Sequence, residues 1–232
     1  MEKFIRTELL IGKENLKKIQ DLKIAIFGIG GVGSFVAEGL ARLGVINIIL
    51  IDNDVIDISN INRQIHATTK TIGKVKVDEM QKRILEINPL AKVITYKMTY
   101  DSQTAELLLK DDYDYVIDAI DTVTSKLDLI KRCKKKNIKI ISSMGTGNKL
   151  DPTRLEITDI HKTTVCPLAR VIRKELKKQR IKKLKVLYSK EEARKMSNEG
   201  IIASCSFVPS VAGLIIVSEI VKEMMNEKPK KM

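Results

Sequence analysis

A glycine-rich turn between an apolar run and a helical pattern constrains the fold of this chain most. Residues 23–27 (Lys-Ile-Ala-Ile-Phe) are strand-like, and residues 28–34 read Gly-Ile-Gly-Gly-Val-Gly-Ser before the helical pattern of residues 36–43. Glycines allow the tight turn, and the first N–H groups of the helix face whatever the turn encloses, which favours a phosphate. The sequence therefore predicts a nucleotide-binding strand–turn–helix unit whose contacts include Gly28, Gly30, Gly31 and Gly33.

The residues after this unit favour ATP as the nucleotide. A second apolar run, residues 47–51, ends in Asp52, where a carboxylate can accept hydrogen bonds from a ribose of either NAD or ATP. Arg63 and Lys76 then supply positive charge, which stabilises the pyrophosphate that leaves a nucleoside triphosphate. The other common triphosphate loop, Gly-x-x-x-x-Gly-Lys-Ser/Thr, does not occur in the sequence. We therefore predict ATP, and keep an NAD-dependent dehydrogenase as an alternative that hydride transfer would support.

Strand and helix patterns alternate along the first 142 residues. Strands are predicted at 23–27, 47–51, 92–96, 114–118 and 138–142, and helices at 32–43, 74–87, 102–110 and 123–136. Later patterns predict a strand at 154–158, a helix at 168–179, a strand at 184–188 and a helix from about 209 to about 225. This order predicts an α/β fold, a Rossmann-like, doubly wound and mostly parallel sheet that binds ligands at the carboxyl ends of its strands.

Positive charge is concentrated in one segment of the chain. The 232 residues suit a single domain, 1–232, with a net charge of +13. Residues 162–195, here called the basic arm, contain thirteen Lys or Arg and three Glu. Several of these cations recur at helical spacing and are candidates for contact with an RNA backbone: Arg170, Arg173, Lys174, Lys177 and Lys178. The alternative is an ordinary solvated helix.

The cysteines and the apolar runs predict a cytoplasmic protein without a structural zinc. Cys133, Cys166 and Cys205 are far apart, with no Cys-x-x-Cys pair. The amino terminus lacks the apolar core of a signal peptide, and the run Val211–Val217 is too short to span a bilayer, so we expect no membrane contact. Cys205, before the last predicted helix, is either a reactive or sulfur-accepting thiol or a packed small residue.

Five linked motifs resemble the ubiquitin-activating-enzyme-like superfamily, which includes the ThiF and MoeB adenylyltransferases. They are Gly-x-Gly-Gly-x-Gly-Ser, Asp52-x-Asp54, Asn60-x-Asn62-Arg63-Gln64, Gly-x-x-Lys76-Val and Asp118-Ala-Ile-Asp121. The resemblance covers about residue 6 to residue 143. The resemblance implies the E1-like (ThiF) fold and ATP-dependent activation of a carboxylate. His66, after the third motif, is either a substrate or phosphate contact or a packed histidine.

The second half resembles one branch of the superfamily, the tRNA threonylcarbamoyladenosine dehydratases (TcdA or CsdL). The matching segments are Ser142–Arg154, Val165–Arg173 and Ser204–Gly213, so the resemblance covers about residues 4–225. It implies an enzyme that uses ATP to activate the carboxylate of threonylcarbamoyladenosine 37 in tRNA, as an acyl-adenylate or an acyl-phosphate, after which the modification cyclises with loss of water.

The resemblance also implies roles for the residues of this chain that match the family's motifs. Ser59 and Asn60 would lie along the phosphates, Arg63 and Lys76 would stabilise phosphate charge, and Asp121 would bind Mg²⁺ beside them. Thr122 stands where relatives often have Asn. Arg6 matches the arginine that relatives insert into the partner subunit's site, which implies a homodimer. Asp118, by contrast, is equally well explained as the solvated end of a strand.

Other functions remain open at this point. A ThiF- or MoeB-type sulfur-carrier-protein adenylyltransferase shares the ATP motifs, but this chain lacks its paired zinc cysteines and that function has no evident use for the basic arm. A non-catalytic RNA-binding protein with a vestigial nucleotide site is a further alternative, which the intact Arg63, Lys76 and Asp121 disfavour. Relatives in sulfur transfer add a cysteine-desulfurase or sulfur-acceptor system as a potential partner of Cys205.

Overall fold

The described residues fold around one seven-stranded sheet. A computed structural model describes residues 2–194 and 202–225. The strands are β1 (Lys23–Phe27), β2 (Asn47–Ile51), β3 (Lys92–Tyr96), β4 (Tyr115–Asp118), β5 (Lys139–Ser143), β6 (Leu155–Asp159) and β7 (Lys185–Ser189). Their order is β3-β2-β1-β4-β5-β7-β6, and every pairing is parallel except the edge pairing of β6 with β7. The predicted fold class is therefore confirmed.

Eight α-helices among these residues cover the two faces of the sheet. They are α1 (Ile5–Ile11), α2 (Lys13–Gln20), α3 (Gly33–Arg42), α4 (Lys76–Ile87), α5 (Ala105–Leu108), α6 (Val123–Lys135), α7 (Pro167–Lys178) and α8 (Val208–Met224). Successive strand side chains point to opposite faces. Ile24 and Ile26 accordingly pack in one apolar cluster with α2, α3, α4 and α8, while Ala25 and Phe27 pack in the other with α5, α6 and α7.

The helix boundaries differ from the sequence prediction by more than one residue in two places, and by one residue at one or both ends of each of the other predicted helices. The helix predicted over 102–110 is confined to α5, because the Asp101 carboxylate accepts the N–H groups of Gln103 and Thr104 in a turn, and Leu109 is extended. The helix predicted from residue 74 begins at Lys76, because Val75 is extended and pairs with Val55. The predicted bounds of β1, β2 and β3 are confirmed to the residue.

Helices α1 and α2 are absent from the sequence prediction. They meet at Gly12, whose φ of 84° lies in the left-handed region that glycine adopts readily. Leu16 and Ile19 of α2 are buried in the same apolar cluster as α8. Their spacing of three residues is the signal that could have revealed α2. The tail, residues 226–232, predicted to be frayed, lies outside the described residues.

The strand order reverses between β1 and β4, which places a crevice at their carboxyl ends. Two turn glycines are required by the close packing there. Gly28 has a φ of 91°, and a Cβ on it would lie 2.6 Å from the carbonyl oxygen of Ala119 after β4. A Cβ on Gly33 would lie 1.8 Å from the carbonyl oxygen of Gly28. Only glycine therefore lets α3 start this close to β1 and lets the two loops approach each other.

The basic arm is integrated into the fold. It contains α7 and β7, and β7 lies between β5 and β6 in the sheet. Lys195, its last residue, lies outside the described residues. Nowhere in residues 2–194 and 202–225 does a helix have the length and apolar character needed to cross a membrane.

Candidate nucleotide and substrate site

A cleft of about 830 Å³ opens at the carboxyl ends of β1, β2, β4 and β5. It brings together most of the site residues predicted from the sequence, namely Gly28, Gly30, Gly31, Asp52, Asn60, Arg63, Lys76, Asp121 and Thr122. These residues are up to 94 positions apart in the chain, and the parallel sheet gathers them at one edge.

Two residues predicted to contact the nucleotide do not line this cleft. Gly33 is buried where α3 begins, and its role in the structure is the close approach to Gly28. Ser59 lies in a 3₁₀ turn after Asp57, and its carbonyl oxygen accepts a hydrogen bond of 2.8 Å from Nη1 of Arg63. Ser59 therefore positions Arg63 in this structure.

Asp52 fixes the two strand ends that border the cleft. Its Oδ2 accepts the N–H of Ile29 at 2.6 Å, and its Oδ1 accepts the N–H of Asp54 at 2.9 Å. Each carboxylate oxygen has a second lone pair that a ligand hydroxyl can use. Asp52 thus holds the glycine turn against the end of β2 and still presents acceptors to the cleft.

Arg63 and Lys76 place two cations at the cleft. The side chain of Lys76 is only 7% exposed, and its Nζ lies 2.7 Å from Oδ2 of Asp54, which is 56% exposed. Nη1 of Arg63 donates to Ser59 O and, at 2.9 Å, to Oδ1 of Asn62. Both cations are therefore held in place before any ligand arrives, which is what electrostatic stabilisation of a developing phosphate charge requires.

A buried ion pair that the sequence analysis missed lies beneath Asp121. Asp118 and Lys126 are both fully buried, 2.8 Å apart, and Lys126 also donates to Ser142 Oγ and to the carbonyl oxygen of Ser143. The alternative of a solvated strand end for Asp118 is wrong. Lys126 lies on the buried face of α6, in helical register with Leu129, Ile130 and Cys133, and a lone lysine on an apolar stripe is the signal that could have revealed it.

This network ties α6 to the ends of β4 and β5. The backbone N–H of Ile120 donates to Oδ1 of Asp118 at 3.2 Å, so the chain between β4 and α6 is held just before Asp121. Asp121 itself is exposed in the cleft, where the hydroxyl of Thr122 lies 3.4 Å from its Oδ1. The arrangement leaves the Asp121 carboxylate available to a ligand.

A short segment before α8, residues 202–205, forms a strap along the other end of the cleft. Ala203 and Asn148 are joined by two hydrogen bonds of 2.7 Å, and Nδ2 of Asn62 donates to the carbonyl oxygen of Ser204 at 3.1 Å. A Cβ on Gly147 would lie 2.2 Å from Cγ2 of Ile202, so the strap packs directly on backbone. Ile202, Ser204, Gly147 and Leu168 line this end of the cleft. The matches of Ser142–Arg154 and Ser204–Gly213 to the dehydratase branch marked these segments, but no sequence pattern indicated their contact.

Cys205 ends the strap and does not line the cleft. It is half-buried against the apolar cluster that contains α8, and its Sγ lies 3.7 Å from the carbonyl oxygen of Lys149. Arg6 does not line the cleft of its own chain either; it is exposed on α1.

Helix α7 leads from the cleft along the basic arm. Leu168, in its first turn, lines the cleft, and Arg170, Lys174, Lys177 and Lys178 are exposed further along. Arg173 differs from these four. Its Nη1 donates to the carbonyl oxygen and the hydroxyl of Thr163, at 2.7 and 2.6 Å, so it is partly committed to contacts within the chain.

The cleft offers the exposed carboxylate of Asp121 to a Mg²⁺ ion that a nucleotide would bring. Within residues 2–194 and 202–225, no group of three or more His, Cys, Asp or Glu side chains could hold a metal ion. Nucleotide-bound Mg²⁺ usually takes one or two carboxylates plus phosphate oxygens and water. The exposed carboxylate of Asp121 fits that mode.

His66 is buried close to Lys76, and its titration should make the free energy of unfolding depend on pH. Burial lowers the pKa of His66 to about 4, and the charge of Lys76 adds to the effect. An unfolded histidine titrates near 6.5, so between pH 6.5 and 4 the unfolded state binds a proton that the folded state does not. We expect the free energy of unfolding to fall by about 3 kcal/mol as the pH is lowered from 6.5 to 4, because of His66 alone.

Urea unfolding at pH 7 and at pH 4.5 measures this effect. The wild type should lose more stability between the two pH values than a His66→Phe variant, which keeps a ring but cannot titrate. Equal losses in the two proteins would contradict the assignment.

Comparisons with known proteins agree with the geometry. Residues 5–232 match the model of the ThiF family. A tRNA threonylcarbamoyladenosine dehydratase of Bacillus subtilis is 46% identical over 244 residues, which span 98% of this chain and 96% of the relative. Crystal structures of the E. coli enzyme TcdA in complex with AMP and with ATP superpose with TM-scores of 0.92 and 0.90. Both are 34% identical and cover 97% of this chain and 95% of the other.

Proposed function

Because this chain belongs to the ThiF family, in its branch of tRNA threonylcarbamoyladenosine dehydratases, we infer that it is an ATP-dependent enzyme that dehydrates threonylcarbamoyladenosine 37 of tRNA. The observation that carries this inference is the single cleft that joins the glycine turn, Arg63, Lys76 and Asp121. Such a cleft suits the activation of a carboxylate by a nucleoside triphosphate.

The reaction follows from the poor electrophilicity of a carboxylate. In the proposed first step, an oxygen of the substrate carboxylate attacks the α-phosphate of ATP, and pyrophosphate leaves against Arg63 and Lys76. The carbamoyl group then attacks the acyl carbon, AMP leaves with the carboxylate oxygen, and the carbamoyl group loses a proton, so the nucleoside loses one water in total. Mg²⁺ held by Asp121 and the phosphates would supply additional positive charge to them. Positioning of the two substrates is the main task of the protein.

The product nucleotide distinguishes this route from its variant. Attack on the γ-phosphate would instead give an acyl-phosphate and release ADP. Chromatography of the nucleotides after turnover is expected to show AMP in equal amount to the cyclised nucleoside; ADP in its place would establish the acyl-phosphate route.

The sulfur-carrier alternative predicts a different second substrate. ATP–pyrophosphate exchange should require tRNA that carries threonylcarbamoyladenosine, because that carboxylate is the group to be activated. Unmodified tRNA is the matched control and should support no exchange. Exchange that appeared only with a small protein ending in Gly-Gly would favour the ThiF or MoeB activity.

The exposed cations of α7 should contribute to tRNA affinity. Reversing Arg170, Lys174 and Lys177 to Glu is expected to weaken tRNA binding about tenfold to hundredfold at physiological salt, because phosphate contacts with their counterion release are lost. ATP affinity should not change. The matched control reverses Lys13, Lys17 and Lys18, which are exposed on α2 at the opposite face of the sheet. Equal losses in the two triple variants would indicate only a nonspecific charge effect.

A homodimer would complete the site with Arg6 of a second copy. Arg6, Leu9 and Leu10 share one face of α1, and the two leucines are 80% and 82% exposed. Neighbouring leucines this exposed mark a surface for association. Arg6 does not line the cleft of its own chain. Packing of this face against a second copy would bring Arg6 to the cleft of that copy.

Cys205 has no step in this reaction. Ring closure needs no enzyme thiol, and the place of Cys205 outside the cleft supports the packing role. A Cys205→Ser variant should keep the dehydration activity, and a sulfur-transfer partner stays a separate prediction.

A further inference from the structure

The fully buried ion pair of Asp118 and Lys126 is not explained by its contribution to stability. Burying two charges costs free energy that their attraction often does not return, and apolar side chains of similar volume are often as stable in the same place. Neither residue lines the cleft, yet each bonds a residue that does, Ile120 or Ser143. The position of the pair beneath the cleft therefore indicates a role in the site.

All three N–H donors of the Lys126 ammonium are used within the protein. Its Nζ lies 2.8 Å from Oδ2 of Asp118, 3.2 Å from Oγ of Ser142 and 2.9 Å from the carbonyl oxygen of Ser143. An ammonium has three donors and no acceptor. Lys126 therefore has no N–H left for a ligand, and its effect on the reaction passes through the groups to which it is bonded.

The bonds of the pair join two walls of the cleft. The first wall, residues 119–122, is held by Asp118, whose Oδ1 accepts an N–H of this wall at 3.2 Å. The second wall, residues 143–147, begins at the carbonyl oxygen of Ser143, to which Lys126 donates. One buried ammonium therefore fixes the separation of the two walls at their bases.

The two walls would serve different substrates in the proposed reaction. The first wall contains Asp121 and lies against the glycine turn, since a Cβ on Gly28 would lie 2.6 Å from the carbonyl oxygen of Ala119. The second wall lies where helix α7 begins, since a Cβ on Gly145 would lie 3.9 Å from Sγ of Cys166, the residue before α7. The first wall is thus beside the place for ATP, and the second is beside the helix whose cations would contact tRNA.

We propose that Lys126 is a positioning residue for the dehydration, which together with Asp118 holds the two walls at the separation that aligns ATP with the carboxylate of threonylcarbamoyladenosine. This inference rests on the proposed function and adds a residue that touches neither substrate. A misplacement of about 1 Å between reacting groups costs about 100-fold in rate, so the fixed separation matters more to the chemical step than to the binding of ATP alone.

A double variant that removes both charges tests this inference. Asp118→Asn/Lys126→Met leaves no unpaired charge, and the asparagine oxygen can still accept the N–H of Ile120, so the melting temperature should stay within about 5 °C of the wild type. The single-turnover rate, at saturating ATP and tRNA, should fall about 10- to 100-fold, while the Kd for ATP measured by calorimetry should change less than about threefold. A purely structural pair would not lower the rate while leaving the affinity and the melting temperature in place.

Lys185 and Glu219 provide the matched control. Their ion pair of 2.6 Å is half-buried at the start of β7, at the amino ends of the strands and therefore away from the cleft. Lys185→Met/Glu219→Gln should keep the single-turnover rate within about threefold of the wild type. Ser142→Ala removes one of the three contacts of Lys126 without changing a charge, and it should lower the same rate about fivefold even if the double variant does not fold.

The outcomes separate this inference from the function on which it rests. A folded Asp118→Asn/Lys126→Met protein with a rate within about threefold of the wild type, or with a loss equal to that of the control pair, would overturn the role of Lys126 and leave the proposed function intact. An unchanged rate in Ser142→Ala would overturn it as well. A wild-type protein that bound ATP but did not dehydrate the nucleoside would instead overturn the proposed function, and this inference with it.

Discussion

Replacing Lys76 with methionine is expected to lower kcat for ATP-dependent dehydration about 10²- to 10³-fold, with a smaller change in the KM for ATP. Lys76 is nearly buried and lines the cleft, so in the proposed reaction its charge would act on the pyrophosphate as it leaves, with little screening by water. Methionine keeps the length and apolar stem of the side chain. The partner of Lys76, Asp54, is exposed and remains solvated, so the fold should be retained.

Lys74 provides the control for this variant. It lies two residues earlier and is exposed, and Lys74→Met removes the same charge away from the cleft. Single-turnover measurements on both variants separate chemistry from product release. A Lys76→Met enzyme that kept kcat within about threefold of the wild type would contradict the assignment of Lys76 to the transition state.

Replacing Arg6 with alanine is expected to remove most of the dehydration activity without unfolding the protein. Arg6 is exposed, so the melting temperature should hardly change. The proposed dimer places this guanidinium in the partner's cleft, where its loss would remove a cation from the leaving pyrophosphate and lower kcat about 10²-fold or more.

A mixing experiment decides whether Arg6 acts in its own chain or in the partner. Arg6→Ala and Lys76→Met subunits, each nearly inactive alone, are mixed and allowed to exchange. If Arg6 acts across the dimer, the mixed dimer has one intact cleft, and about a quarter of wild-type activity returns. If Arg6 acts on the cleft of its own chain, no cleft in the mixed dimer is complete and no activity returns.

Sequence analysis could predict the parts of this fold that depend on residues adjacent in the chain. The runs that form β1 and β2 are continuous apolar segments bounded by turns, which is typical of strands buried on both faces. The glycine turn needed no tertiary information, because its residues are adjacent in the chain. For the same reason the motifs sufficed to predict the ThiF family, and the comparisons confirmed it.

Features made by long-range contacts could not be predicted in this way. The Asp118–Lys126 pair exists because β5 brings Ser142 and Ser143 beside it, and the strap exists because Asn148 and Asn62 hold Ala203 and Ser204. The position of Ser59 in the sequence predicted a contact with the nucleotide phosphates. In the structure Ser59 does not line the cleft, and its carbonyl oxygen accepts a hydrogen bond from Arg63. Sequence position therefore identified the segment but not the orientation of each side chain.

Mass spectrometry of nucleosides from tRNA that carries threonylcarbamoyladenosine tests the central claim most directly. The tRNA is incubated with the protein, ATP and Mg²⁺, then digested and compared with an incubation without ATP. The account predicts a nucleoside lighter by one water that forms only with ATP and is lost in Arg63→Ala. An unchanged nucleoside, with a protein that is folded and binds both ATP and this tRNA, would contradict it.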